Sequence, residues 1–229
     1  MDSAVWGPVC NLLDEGFRVA AMDRRGRGRS GRGEDPYSLD AEADDVLVVA
    51  EALGGDVVVA AHSIGATISL EALRRSRGLI SAAVLYEPPL PDSVPPPPAG
   101  MIAALDEGRH EDALEIFLRE MVRLDHADLD AARASPAWSH RVELIWTMRR
   151  ETSALTHHDP DIERYLSIEQ PVELLVGDHT ARHHTEAIEA LQATLRRAHT
   201  RVLPGQGHGA LLHAPHLIAA SINEHHNTR

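Results

Sequence analysis

The sequence contains no lysine; its 22 basic residues are all arginine, set against 35 acids for a net charge of −13. So acidic a chain argues against nucleic acid or an anionic membrane as partner. Cysteine is almost absent too. A lone Cys10 excludes an internal disulfide and any cysteine-based metal site, and it fits a reducing cytoplasm. No apolar run approaches the roughly 18 residues of a membrane span, no signal peptide opens the chain, and no segment repeats. The 229 residues suffice for one domain with an insertion and a full core. These absences leave a cytoplasmic globular protein acting on a small molecule, with the oligomeric state open.

What is present is organised around Val57-Val58-Val59-Ala60-Ala61-His62-Ser63-Ile64-Gly65. Val57 to Ala61 is apolar on both faces, as a buried strand is. From Ile64 the apolar positions Ile64, Ile68, Leu70, Ala72 and Leu73 follow helical spacing. About one residue joins the two elements, too little for an ordinary loop. The chain must therefore turn sharply at Ser63, flanked by small Ala61 and Gly65. Such a turn lifts the hydroxyl above the sheet and aims the first N–H groups of the helix, Ile64 foremost, at whatever sits beside it.

The rest of the chain supplies a frame. Residues 3–15 read as a helix ended by Gly16, 17–22 as a strand, and 40–53 as a helix. The elbow strand spans 56–61, its helix 64–76, and a further strand 79–86 ends at Glu87-Pro88-Pro89. Strands alternating with helices predict an α/β fold with a mainly parallel sheet flanked by helices. The prolines at 95–98 break the rhythm, and helical patterns at 110–124 and 136–150 follow with no strand between them. This predicts a helical cap over 89–160 inserted into a core of 1–88 and 161–229. The core resumes with a strand at 172–177, a helix at about 184–197, a strand at 200–203 and a last helix at about 214–225.

A serine needs a base to take its proton, and histidine is best tuned for it. Of fifteen histidines, His208 sits in a glycine-rich loop at the C-terminal end of a strand, the sheet edge where Ser63 also lies. Taken with this loop, Ala61-His62-Ser63-Ile64-Gly65 and the turn Asp23-Arg24-Arg25-Gly26-Arg27-Gly28-Arg29-Ser30 make the chain resemble a capped, cofactor-independent α/β-hydrolase of bacterial type. The Leu85-to-Pro89 strand end and the Leu203-to-His208 loop match as well. The resemblance implies a serine hydrolase that attacks a small, partly apolar ester, thioester, lactone or related acyl compound through an acyl-enzyme. Ser63 is then the nucleophile, His208 the base and the Ile64 N–H an oxyanion donor; neither metal nor organic cofactor is implied.

Two departures from the family's pattern stand out. The acid usually follows the next-to-last strand, but in Gly177-Asp178-His179-Thr180 a threonine holds that position. Some relatives carry the acid after the elbow helix's following strand, which makes Glu87 the expected partner of His208 and Asp178 the alternative. The family's first three strands and their His-Gly oxyanion loop also have no counterpart, so either the start site is misassigned or the form is N-terminally truncated, and ladder groups between 17–22 and the elbow strand stay unpaired unless the neighbours close up. That shortening keeps a second reading open, a non-catalytic binding or scaffold protein of the same fold. Gly26-x-Gly28-x-x-Gly31 fits a dinucleotide fingerprint, but Gly33, Asp35 and Pro36 follow where a helix should open. The Arg24–Arg32 cluster reads as loop arginines pairing with carboxylates. The adjacent histidine pairs at 157–158, 183–184 and 225–226 lack metal-ligand spacing and read as exposed.

Overall fold

The computed structural model describes residues 2–31, 36–124 and 126–227. Arg32, Gly33 and Asp35 of the glycine-rich stretch, and the side chain of His226, lie outside the described residues.

Helices and strands alternate as an α/β pattern requires. A 3-10 turn at Ser3–Trp6 leads into α1 (Gly7–Cys10), and α2 (Leu39–Ala52) precedes β1 (Val57–His62). Then come α3 (Ile64–Arg75) and β2 (Ile80–Tyr86). Five helices follow with no strand among them in the described residues: α4 (Ala99–Asp106), α5 (His110–Ile116), α6 (His126–Ala134), α7 (Trp138–Leu144) and α8 (Thr147–Thr156). The chain closes with β3 (Val172–Gly177), α9 (Arg182–Thr194), β4 (Ala198–Leu203), α10 (Ala210–His213) and α11 (Pro215–Asn227). The single helices expected at 110–124 and 136–150 are each interrupted, the first by a π-helical turn at Phe117–Met121, the second around Ile145 and Trp146.

The four strands pair in the order β1-β2-β3-β4, all parallel. The register sets Ala61 beside Leu85, Tyr86 beside Leu175 and Gly177 beside Leu203. All four C-terminal ends therefore meet at one edge, where ligands collect in open α/β sheets. One face of the sheet packs on α2, α3 and α9 through residues such as Ile68, Leu70, Leu174 and Leu191. The other face packs on α1, α10 and α11 through Val9, Leu211 and Ile218. The helices between β2 and β3 close a third cluster of their own around Met101, Leu114 and Trp138.

One expected strand is missing. Residues 17–22 belong to no ladder, and Arg18 to Ala21 are exposed. A strand exists by pairing, and no described strand lies beside this stretch to accept its hydrogen bonds. β1 is consequently an edge strand, and its Val57 to Ala60 are only half-buried, where a strand flanked on both sides would be closed off. Residues 17–22 and β1 do not close up into a ladder, and both stretches line one cavity of about 1010 Å³. The helix expected over 3–15 stops early as well, at Cys10. No helix among the described residues is long and apolar enough to cross a membrane.

Candidate active site

Ser63 stands between β1 and α3 with φ 55° and ψ −135°. A non-glycine residue in that region stores strain of order 1–3 kcal/mol, which the surrounding structure must hold. The hold comes from the Ser63 N–H, which donates to the Tyr86 carbonyl at 2.9 Å, and from the helix that starts at once behind it. The expectation that Gly65 is small to permit the turn is not supported by its surroundings. A Cβ there would meet no atom within 4 Å, because the residue borders the cavity. The turn rests on the backbone of Ser63 itself.

Glu87 occupies the corresponding place one strand over, also at positive φ (47°), and its side chain is wholly buried. Its Oε1 accepts from the Gly177 N–H at 2.9 Å, and its Oε2 lies 2.6 Å from His208 Nδ1. His208 Nε2 is 3.1 Å from Ser63 Oγ. The structure thus brings Ser63, His208 and Glu87 into one continuous hydrogen-bonded row. It does not bring in Asp178, whose side chain is 42 % exposed, with His179 at 4.0 Å as its ion-pair neighbour. Thr180, at the place where the resemblance puts an acid, has a buried hydroxyl with no hydrogen-bond partner among the described residues. Ile64 opens α3, so its N–H has no acceptor within the helix and borders the same cavity as Ser63.

The loop bearing His208 is held by two residues the sequence reading passed over. His62 Nε2 donates to the His208 carbonyl at 2.9 Å, and the Tyr86 hydroxyl donates to the Gly207 carbonyl. They are register partners, each directly preceding a member of the row, and their rings stack with centroids 5.1 Å apart. That position, the last residue of a strand before the site, was the available signal. Burial, with the neighbouring His208, holds His62 neutral and pushes its pKa down to about 3.

His184 corrects a second expectation. Instead of lying exposed it is 7 % accessible, and its ring stacks on His208 with centroids 4.3 Å apart and planes within 9°. Burial lowers its pKa to about 3. His183 is half-buried, and His158 is nearly covered, its Nε2 3.1 Å from Glu71 Oε1. His208 is itself pushed down to about 4 by burial and by the nearby His183. Glu87, His184 and His208 hold their ligand atoms within 4.8 Å of one another. They do not suit one metal ion, because lone pairs of two stacked rings lie in parallel planes and cannot converge at the ~2.0–2.1 Å a zinc–nitrogen bond needs.

The turn at 23–30 is a self-bonded structure. The Asp23 carboxylate accepts from the N–H groups of Ser3 and Arg29, and the Ser30 hydroxyl donates to the Asp23 carbonyl. A Cβ on Gly28 would fall within 2.5 Å of that carboxylate, so the glycine serves close approach within the turn. Arg24 pairs with Glu42, Arg25 with Asp45, and Arg27 with Glu151 of α8. The expected pairing with carboxylates is seen for these three, although Arg27 is 4 % exposed and so far from a solvated loop residue.

Comparison with known proteins shows the family. A family model described as "Alpha/beta hydrolase family" matches residues 1–221. The chain is 40 % identical over 95 residues to a bifunctional esterase/perhydrolase of Acinetobacter calcoaceticus, a match covering 37 % of this chain and 34 % of that protein. The matched stretch is thus about a third of that relative's length. It is 27 % identical over 215 residues to a non-heme haloperoxidase of Rhodococcus erythropolis, covering 86 % and 78 % of the two chains. The crystal structure of an alpha/beta hydrolase from Sphaerobacter thermophilus superposes with a TM-score of 0.82 at 29 % identity, covering 98 % of this chain and 88 % of the other. The chain belongs to the alpha/beta hydrolase family.

Proposed function

We propose that the protein is a serine hydrolase acting on small ester-type substrates through an acyl-enzyme. The observation that carries this reading is the Ser63–His208–Glu87 row, with its 3.1 Å and 2.6 Å contacts, opening on a cavity. Ser63 Oγ attacks the carbonyl carbon while His208 Nε2 takes its proton. Glu87 fixes the other ring nitrogen as the N–H tautomer and stabilises the imidazolium that forms. The charge developing on the carbonyl oxygen is met by the Ile64 N–H. One such donor contributes about 2.7–4 kcal/mol to lowering the barrier. His208 then returns the proton to the leaving alcohol, and water activated by the same ring frees the acid. The cavity wall is largely apolar, with Leu118, Met121, Leu144 and Met148 from the helices between β2 and β3, and this supports a partly apolar acyl group. The similarity to a bifunctional esterase/perhydrolase supports ester-type chemistry.

Labelling with a fluorophosphonate probe tests the reading. Labelling of the chain that disappears in Ser63→Ala is the expected result. A folded chain that neither labels nor turns over any ester would overturn it in favour of a binding protein with this fold.

A further inference from the structure

Four arginines between β2 and β3 are neutralised by nearby acids. Arg109 pairs with Glu107 and Asp112, Arg119 with Glu120, Arg133 with Glu115, and Arg149 with Asp106. Arg141 of α7 departs from this. Its side chain lines the cavity onto which Ser63 and His208 open, it is half-buried, and its guanidinium makes no hydrogen bond or ion pair among the described residues. The nearest acid in sequence, Glu143, is 75 % exposed and faces His140 instead. Carboxylates on the same wall are already engaged, Glu151 by Arg24 and Arg27, and Asp2 by His140. Burial lowers the pKa of Arg141, with no neighbouring acid to offset it.

A half-buried guanidinium without a counter-ion loses hydration that nothing replaces, and among the described carboxylates of this acidic chain none reaches it. Its planar fork of donors matches a carboxylate held by two parallel hydrogen bonds. Leu144, Ile145 and Met148 line the same cavity, and an apolar wall strengthens such a pair. We infer that Arg141 binds a carboxylate on the substrate, so that the cavity selects esters whose acyl or alcohol part carries a free acid. This rests on the hydrolase reading of Ser63, whose own failure can be told apart by the test.

Two measurements decide it. In the first, calorimetry follows monoethyl glutarate binding to the Ser63→Ala protein, with and without Arg141→Gln, and with Arg141→Lys. The expected result is binding that weakens tenfold or more in Arg141→Gln and recovers in part in Arg141→Lys, as for one charge-assisted pair. In the second, kcat/KM is compared for 4-nitrophenyl esters of glutaric and butyric acid. The glutarate-to-butyrate ratio should fall at least tenfold in Arg141→Gln. An unchanged affinity, or an unchanged ratio, in a variant with an unaltered melting curve overturns the inference. If no ester is turned over and Ser63 does not label, the hydrolase reading falls while the calorimetry still decides whether Arg141 holds the acid.

Discussion

At the scale of single residues, three side chains from distant parts of the chain depend on each other, so their removal should be unequal to the removal of neighbours. Ser63→Ala should lower kcat by about 10⁴-fold or more, as loss of a nucleophile does. Glu87→Gln keeps the shape but cannot stabilise the imidazolium, and should cost about 10⁴ in kcat. Asp178→Asn should leave kcat within about twofold, since its exposed carboxylate is not at hydrogen-bonding distance from His208. Steady-state hydrolysis of a chromogenic ester measures all three. Tyr86→Phe removes one anchor of the His208 loop without touching the cavity's acyl contacts. We expect kcat to fall about tenfold with KM little changed, since small misplacements of a catalytic group act on the chemical step.

At the scale of elements, the site depends on how closely the end of β3 meets the loop after β4. A Cβ on Gly177 would lie 2.1 Å from the Gln206 carbonyl oxygen and 3.1 Å from the Gly207 nitrogen. Those are backbone atoms, so the loop itself must move, and the Gly177 N–H that binds Glu87 moves with the strand end. Gly177→Ala should therefore destabilise by about 1–3 kcal/mol, as overpacking does, and lower kcat more than Gly205→Ala scaled for stability. Urea unfolding alongside kinetics separates the two effects. Equal losses in both variants would mean that the loop tolerates displacement.

At the scale of the whole molecule, buried charge and buried neutral histidine set the response to mutation and pH. Glu151 of α8 neutralises Arg27 and approaches Arg24, and so ties the helices between β2 and β3 to the 23–30 turn. Glu151→Ala takes the counter-charge from buried Arg27, whose bond to the Thr147 hydroxyl carries no charge, and should cost about 3–5 kcal/mol in a denaturant titration. Acid should also destabilise the protein earlier than carboxylates alone would. The pKa values of His62 and His184 are lowered to about 3 and that of His208 to about 4, while the unfolded chain takes up these protons near 6.5. The unfolded state then binds more protons than the folded one below pH 6.5. Stability is full above 6.5 and is lost as pH falls toward 4 and 3, by up to about 1.4 kcal/mol per pH unit for each histidine. Burial alone would raise Glu71 and Glu151, but hydrogen bonds from His158 and Tyr165 to Glu71, and the Arg24 and Arg27 charges beside Glu151, lower both to about 2, so they add their own loss only below the usual carboxylate range near 4.5. A thermal melt that begins to fall near pH 6.5 is the expected result; a plateau down to 4.5 would contradict it. For the same reason the acid limb of kcat/KM should lie near pH 4, where His208 titrates.

What the sequence determined by itself is whatever local pattern and chain continuity control. An apolar run meeting a helical pattern across one residue forces a turn at Ser63, wherever else the chain goes. The α/β alternation, and the placing of Ser63, Glu87 and His208 at strand ends, follow from the same kind of reading. Tertiary structure decided the remainder, because it depends on neighbours far along the chain. Residues 17–22 have strand composition but no described partner, and a ladder needs two sides. Sequence favours Glu87 as neighbour of His208 and keeps Asp178 as the alternative. Packing settled which carboxylate reaches the ring, since Glu87 points inward beside Gly177 while Asp178 turns to solvent. Likewise His184 looked like a surface histidine in a helix, and only the docking of α9 beside the His208 loop makes it a buried stacking partner. Local periodicity specifies which face a residue occupies; what that face meets is a property of the assembled fold.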